Sequence, residues 1–182
     1  MSAVRWATAD TPDGPFTVLV GSGAVLASGW TDDVTVLLPL VHPSLRPDAD
    51  NLLDGVAAPD EDGTTGRALA AVAAYYDGDL DAPGRVPVRQ RSGEFRSHAW
   101  DVLRTVAAGE RLTYTEYAAR ADRPAAVRAA AAACAANAAA LFVPCHRVLR
   151  SDGSLGGFRY GLAVKARLLE REGSAPAGPA LF

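Results

Sequence analysis

Between Thr113 and Asn137 the sequence reads TYTEYAARADRPAAVRAAAAACAAN, and this stretch constrains the fold more than any other. Thr113 and Glu116 have the spacing of a capping box, in which the threonine caps the helix and the glutamate reaches back to the threonine N–H. That helix is short, about 113–121. ADRP breaks it, with Pro124 placed for the first position of a new helix. The new helix is nearly all alanine, the best helix former, and stops near Asn137, a residue that tolerates a left-handed cap. Helix, tight turn, helix is the outline of a helix-turn-helix. From Ala125 to Ala136 the only larger side chains are Val127, Arg128 and Cys134. Such a helix permits close approach to another backbone, either a packed helix or the edge of a nucleic-acid groove.

Around this pair the chain changes character. The first half reads as strands and turns: PFTVLV and AVLASGW flank GSG as a hairpin, and VTVLLPLV reads as a third, buried strand ending near Pro43. Residues 42–66 are rich in Pro, Gly and Asp and read as a long loop with one helical turn at 51–56. RALAAVAAYYDGDL reads as a helix with Leu69, Val72, Ala73 and Tyr76 on one stripe. PGRVPVRQRSG is the connector, dividing the chain into 1–90 and 91–174. Beyond it, Phe95, Ala99, Val102, Leu103 and Val106 mark an amphipathic helix over 94–108 that Gly109 ends. GLAVKARLLEREG is a final helix with Leu162, Leu168 and Leu169 inward and Gly173 just past its end. Residues 175–182 read as a disordered tail.

Charge follows the same division. Residues 1–90 hold five arginines against thirteen acidic residues, a net −8, while 91–174 hold thirteen basic against eight acidic, a net +5. A basic half suits a polyanion, although +5 is modest and charge alone favours a solvated face. No run approaches the ~18 apolar residues of a membrane span. The N-terminus lacks the basic and apolar regions of a secretory signal, and a cytoplasmic protein is expected. Two cysteines make no disulfide framework, and three scattered histidines have no zinc-ligand spacing.

Cys145 and His146 adjoin in LFVPCHRVLRSDGSLGGF. A free thiol is only a few per cent thiolate at neutral pH, so a nucleophilic cysteine needs a base or a positive field. His146 is the candidate base, but neighbours in a strand point to opposite faces, so contact requires a turn or an intervening water. Glu170 or Glu172 on the last helix is in the right part of the chain to orient the imidazole. Taken alone, the pair is better explained as a small buried hydrophobe beside a structural histidine. Cys134, His42 and His98 read as structural.

The surroundings change that balance. PCHRV at 144–148, preceded by a small-residue helix bearing Arg128 and Asn137 and followed by Gly156, GLAVKARLLEREG and Glu172, resembles the O6-alkylguanine-DNA alkyltransferase family, the methylated-DNA–protein-cysteine methyltransferases. The likeness extends through FRSHAWDVLRTVAAGERLTYTEYAARA and, more loosely, to TADTPDGPFTVLV. It implies an α+β protein: an N-terminal ribonuclease-H-like α/β domain and a C-terminal helical, winged-helix-like domain with a helix-turn-helix. It implies that the protein flips O6-alkylguanine out of duplex DNA through the minor groove and transfers the alkyl group irreversibly to Cys145. His146 would be a water-mediated base, Glu172 its orienting partner and Asn137 the hinge. Arg128 would fill the space of the extruded nucleotide. Tyr114 would help rotate the 3′ phosphate, then contact the guanine, and Ala129 and Ala131 would lie against the DNA. The carbonyls of Cys145 and Val148 would accept from the guanine amine. Gly156, Gly157, Phe158, Arg159 and Tyr160 would line the lesion pocket. The resemblance implies a monomer that needs no cofactor, and with no cysteine in residues 1–133 no structural zinc is expected.

The sequence also departs from the family pattern. Arg128-Ala129-Ala130-Ala131 stands where Arg-Ala-Val-Gly is usual, Ala138 where proline is usual, and Arg159-Tyr160 where a smaller pair is common. Three rival readings fit these residues less well. An alkyltransferase-like lesion binder typically lacks this cysteine, a transcription regulator of the family carries an extra cysteine-rich domain, and a Cys-His hydrolase leaves Arg128 unexplained.

Overall fold

A computed structural model describes residues 3–55 and 63–173. The fold is mixed α+β, with the larger sheet in the N-terminal half and helices concentrated in the C-terminal half. Its contacts divide the chain into two units, Met1–Ser92 with Ala138–Val143, and Gly93–Asn137 with Pro144–Phe182. The six residues 138–143, which follow the alanine helix in sequence, thus group with the first unit.

The first unit is built on strands β1 (Val4–Thr11), β2 (Gly14–Gly21), β3 (Ala24–Gly29) and β4 (Leu52–Asp54), in the spatial order β3-β2-β1-β4. The expected hairpin is β2–β3. Gly21 pairs with Ala24, leaving Ser22 (φ 51°) and Gly23 (φ 73°) as a two-residue turn with both residues left-handed. That handedness matches the twist of the strands it joins. Strand β1 holds the strand formers Val4, Trp6, Thr8 and Thr11, and it is central, antiparallel to β2 and parallel to β4.

Two expectations for this unit fail. VTVLLPLV is not a strand but two 3-10 turns, Val34–Val36 and Leu38–Leu40. Asp33 caps the first by accepting from the Thr35 N–H, and Pro39 has no N–H to give a ladder. Leu37 and Val41 are buried while Val36 is half exposed, which is helical spacing rather than alternation. The helical turn at 51–56 is replaced by a 3-10 turn, Ala49–Asn51, and then β4, whose Leu52 and Leu53 pair with Val4 and Arg5 at the sheet edge; Val56 lies outside the described residues. Helix α1 (Thr64–Tyr76) forms as expected, but it buries Thr64, Thr65, Ala68, Ala71, Val72 and Tyr75 and leaves Ala73 exposed. The large Tyr75 goes inside, and the Tyr76 hydroxyl donates to Asp13.

The second unit holds α2 (Glu94–Leu103), α3 (Tyr114–Arg120), α4 (Val127–Ala135), α5 (Leu162–Arg171) and a two-stranded parallel pair, β5 (Leu112–Thr113) with β6 (Val148–Leu149). The capping box is present in full: Thr113 Oγ1 accepts from the Glu116 N–H and Glu116 accepts from the Thr113 N–H. Helix α2 is shorter than expected, ending at Leu103. Helix α4 begins at Val127 rather than at Pro124. Asp122 is left-handed (φ 62°), and the Ala126 N–H bonds the Arg123 carbonyl at 2.8 Å, so Pro124 is the second residue of a turn, a position that suits its fixed φ. At the other end Ala136 is the right-handed cap, and the left-handed residue is Leu141 (φ 72°), not Asn137.

The alanines serve two faces. Ala130 and Ala133 are buried, and the Ala133 carbonyl accepts from Trp100 Nε1 of α2 at 2.9 Å, while Tyr117 of α3, fully buried, donates to the Ala99 carbonyl. Arg128, Ala129 and Ala132 are exposed. In α5, Leu168 and Leu169 are buried as expected, with Gly173 left-handed after the Glu172 cap. Leu162 is half exposed instead, and the buried set is completed by Val164 and Lys165. The tail, 175–182, lies outside the described residues. No described helix is long and apolar enough to cross a membrane.

Candidate active site

After Pro144 the chain makes a 3-10 turn, Cys145–Arg147, before entering β6. A turn removes the strand alternation that separates neighbouring side chains, and each of its three residues has a distinct partner. Asn137 Nδ2 donates to Cys145 Sγ at 3.2 Å. His146 Nε2 meets Glu172 Oε1 at 2.9 Å, with both side chains buried. An ionised carboxylate only accepts, so Nε2 carries the ring proton and Nδ1 keeps its lone pair. Among the described residues no direct hydrogen bond joins His146 to Cys145. Sequence reasoning thus names four residues, Asn137, Cys145, His146 and Glu172, that the fold brings together.

Arg147 is the residue that reasoning passed over. It is buried, and Nε and Nη2 grip Glu172 Oε2 and Oε1, both at 2.9 Å, while Nη1 donates to the Val106 carbonyl at 2.6 Å. A buried carboxylate requires a charged partner, and a neutral imidazole is not one. That requirement, applied to Glu172, points to the arginine next to His146. Burial pulls the His146 pKa below its ordinary value, against the opposing influence of Glu172. For Glu172, burial alone would raise the carboxyl, but the bonds and charges of His146 and Arg147 outweigh it and hold the group far below the usual carboxylate range. With His146 neutral, Arg147 is the permanent cation of the trio.

Lys165 is the second such residue. It is buried, and Nζ donates to the carbonyls of Val148 (2.8 Å), Leu155 and Gly157 (3.4 Å). The Val148 carbonyl therefore already holds one donor, and the Cys145 carbonyl accepts from the Val148 N–H. Burial pushes the Cys145 thiol up, while the Asn137 bond and the charges of Lys165 and Arg159 pull it down. Removing the Lys165 ammonium leaves up to three carbonyls to find other donors, at roughly 1–3 kcal/mol for each buried one left unpaired. Lys165→Met is expected to speed amide exchange over residues 155–158 by about tenfold or more, read by hydrogen–deuterium exchange at constant pH.

The remaining candidates lie on α3, α4 and the 156–160 loop of the second unit. Tyr114 begins α3, and burial raises its phenol to about 12. Gly156 is buried and left-handed (φ 71°), and a Cβ there would sit 3.0 Å from the Tyr114 hydroxyl oxygen, so glycine lets the loop lie against the ring. Gly157 is exposed. Phe158 and Tyr160 meet edge to face at 5.8 Å, and burial raises the Tyr160 phenol to about 12. Arg159 Nη2 donates to the Ala135 carbonyl at 2.7 Å, tying the loop to the end of α4. Arg128 and Ala129 are exposed on α4, whereas Ala131 is half-buried. Cys134 is held protonated by burial, His98 pairs with Asp122 at 3.0 Å, and His42 bonds Ser44.

Comparison with known proteins places this arrangement. Residues 94–174 match the family model of the 6-O-methylguanine DNA methyltransferase DNA-binding domain. The methylated-DNA–protein-cysteine methyltransferase of Mycobacterium tuberculosis is 33% identical over 180 residues, 98% of this chain and 99% of the relative. The chain belongs to the methylated-DNA–protein-cysteine methyltransferase family. The similarity to the bifunctional transcriptional activator and DNA repair enzyme Ada of Escherichia coli is 47% over 92 residues, half of this chain, and covers 26% of that longer protein. Among solved structures, a variant of the M. tuberculosis O6-methylguanine methyltransferase superposes with a TM-score of 0.72 at 31% identity, covering 98% of this chain and 99% of that one. The M. tuberculosis enzyme in complex with DNA gives 0.70 at 26% identity over 95% of this chain and 96% of that one. Membership of the family and the α+β fold both stand on these full-length matches.

Proposed function

We propose that this protein repairs DNA by moving an alkyl group from guanine O6 to Cys145, once per molecule. The observation that carries the reading is Cys145 Sγ held by the Asn137 amide beside a neutral His146 whose Nε2 is fixed on Glu172. In the reaction the S–H proton leaves through His146 Nδ1, by way of water. The thiolate attacks the alkyl carbon in line, the S–C bond forms as the C–O6 bond breaks, and the guanine departs with the electron pair and takes up a proton. Asn137 and the charges of Lys165 and Arg159 favour the thiolate, and the carbonyls of Cys145 and Val148 receive the guanine amine. Among the described residues no group in the site can cleave the thioether, so the protein is consumed.

The target base is buried in a duplex and must be extruded, at a cost of a few kcal/mol that a mispaired lesion lowers. Exposed Arg128 fills the vacated space, Ala129 and Ala131 allow α4 to lie in the minor groove, and Tyr114 turns the 3′ phosphate. The loop from Gly156 through Gly157, Phe158 and Arg159 to Tyr160 encloses the lesion. We place this monomeric protein in the cytoplasm, without a cofactor. Incubation with an O6-methylguanine duplex should transfer at most one methyl group per chain; repeated turnover would contradict the reading.

Arg128→Ala separates extrusion from chemistry. It is expected to slow transfer from duplex DNA by about tenfold or more, the loss of a little over 1 kcal/mol, and to leave transfer from free O6-benzylguanine near wild type. Rates on the two substrates check it, and equal loss on both would make Arg128 a structural residue.

A further inference from the structure

We propose that Gln90 is a positioning residue for the Cys145 thiol, acting through the six-residue segment Ala138–Val143 that links Asn137 to Pro144. The proposal rests on Cys145 being the reactive group. Asn137 and Cys145 belong to the second unit and are joined by a hydrogen bond across eight positions of sequence. The six residues between Asn137 and Pro144 belong to the first unit. Ala138, the first of those six, is covalently joined to Asn137, so an anchor on Ala138 acts on the backbone next to the thiol's hydrogen-bond partner.

The anchors are specific. The Ala138 N–H donates to Gln90 Oε1 at 2.8 Å, and the Ala138 carbonyl accepts from the Ser28 N–H at 2.9 Å. Ser28 Oγ donates to the Ala140 carbonyl at 2.8 Å, and the Ala140 N–H returns to the Ser28 carbonyl at 3.3 Å. Phe142 is buried, its ring 6.4 Å from that of Phe16. Leu141 is held at φ 72°, a conformation a leucine keeps only where its surroundings over-determine it. Two of these ties, between Ser28 and the backbones of Ala138 and Ala140, are backbone to backbone and survive substitution. The Gln90 bond is made by a side chain to the residue immediately after Asn137, and it needs the N–H at 138 that alanine has and proline lacks.

Losing the Gln90 acceptor frees the backbone next to Asn137, and the Asn137 amide then spends less time on Sγ. An amide donor on sulfur favours the thiolate, so the thiol becomes harder to ionise. The test is alkylation of Cys145 by iodoacetamide, followed on the Cys145 peptide by mass spectrometry as a function of pH, with no DNA present. Gln90→Met is expected to slow alkylation near neutral pH by about tenfold and to move the profile up by about one pH unit. Gln90→Glu keeps an acceptor for the Ala138 N–H and is expected to stay near wild type. In an Asn137→Ala background, Gln90→Met is expected to add nothing. An unchanged profile in Gln90→Met, or a further loss on top of Asn137→Ala, overturns the proposal. If methionine at 90 prevents folding, Ser28→Ala tests the same segment and should shift the profile in the same direction, and its failure to do so counts equally against it. Because the reagent is not a repair substrate, loss of DNA repair leaves this result untouched, and the reverse holds.

Discussion

Glu172→Gln is expected to destabilise the protein by roughly 3–5 kcal/mol, the cost of breaking a buried ion pair by removing one partner. Glutamine has the shape of glutamate but neither its charge nor its four acceptor sites. Arg147 has two donors on the Glu172 carboxylate, at 2.9 Å each, and His146 a third on the same group. An amide satisfies one side of this set and turns its own N–H groups toward donors on the other. The buried guanidinium is left without a counter-charge. For a chain of this size, 1 kcal/mol shifts the melting temperature by about 2–4 °C, so a fall on the order of 10 °C is expected by thermal unfolding. The imidazole loses its orienting partner as well, and alkyl transfer falls with it.

The same carboxylate gives the prediction a pH dependence. In the folded protein Glu172 and His146 both titrate below their ordinary values of 4.5 and 6.5. Below those values the unfolded chain binds protons that the folded chain refuses, so stability is lost as pH falls. The His146 share is present above pH 6.5 and erodes beneath it, and the Glu172 share is present above pH 4.5 and erodes as pH falls further. The gap between wild type and Glu172→Gln is therefore expected to be widest near neutral pH and to narrow below pH 4.5. Urea unfolding at neutral and acid pH measures it, and a gap that widens with acid would assign the stability to another group.

The parts of this molecule legible in the sequence are those set by local chemistry. Thr113 and Glu116 make a capping box because the spacing alone brings their groups together. The hairpin at Ser22-Gly23 and the left-handed Gly173 follow from turn and cap preferences. Cys145 with His146, and Glu170 or Glu172 as its orienting acid, could be proposed from the residues, but Asn137 and the choice of Glu172 came through the family resemblance, since residues up to 35 apart leave no local trace of contact. Leu37 and Val41 misled because a short apolar run has no period that separates strand from 3-10 turn. Strand β1 was hidden because, although Val4, Trp6, Thr8 and Thr11 suit a strand, its buried positions do not alternate. Arg147 and Lys165 were hidden for a different reason. A charged residue in sequence reads as solvated, and only the buried Glu172 and the loop carbonyls reveal what these two satisfy. The grouping of 138–143 with the first unit is a tertiary fact that composition does not encode.

Cys145→Ser is expected to remove alkyl transfer altogether while leaving the fold in place. A serine hydroxyl fills nearly the same space and still accepts from Asn137, but at neutral pH it supplies no usable oxyanion, whereas a thiol is intrinsically nucleophilic and ionises within reach of an imidazole base. No other described group replaces it: Cys134 is held protonated by burial, on the alanine helix. The measurement is intact mass after incubation with a duplex oligonucleotide bearing one O6-methylguanine. Wild type is predicted to gain the mass of one methylene and no more, on the Cys145 peptide, and Cys145→Ser to gain nothing while still shifting the duplex in a gel. A wild-type protein that binds the lesion and gains no mass, or a Cys145→Ser variant that gains it, would contradict the account.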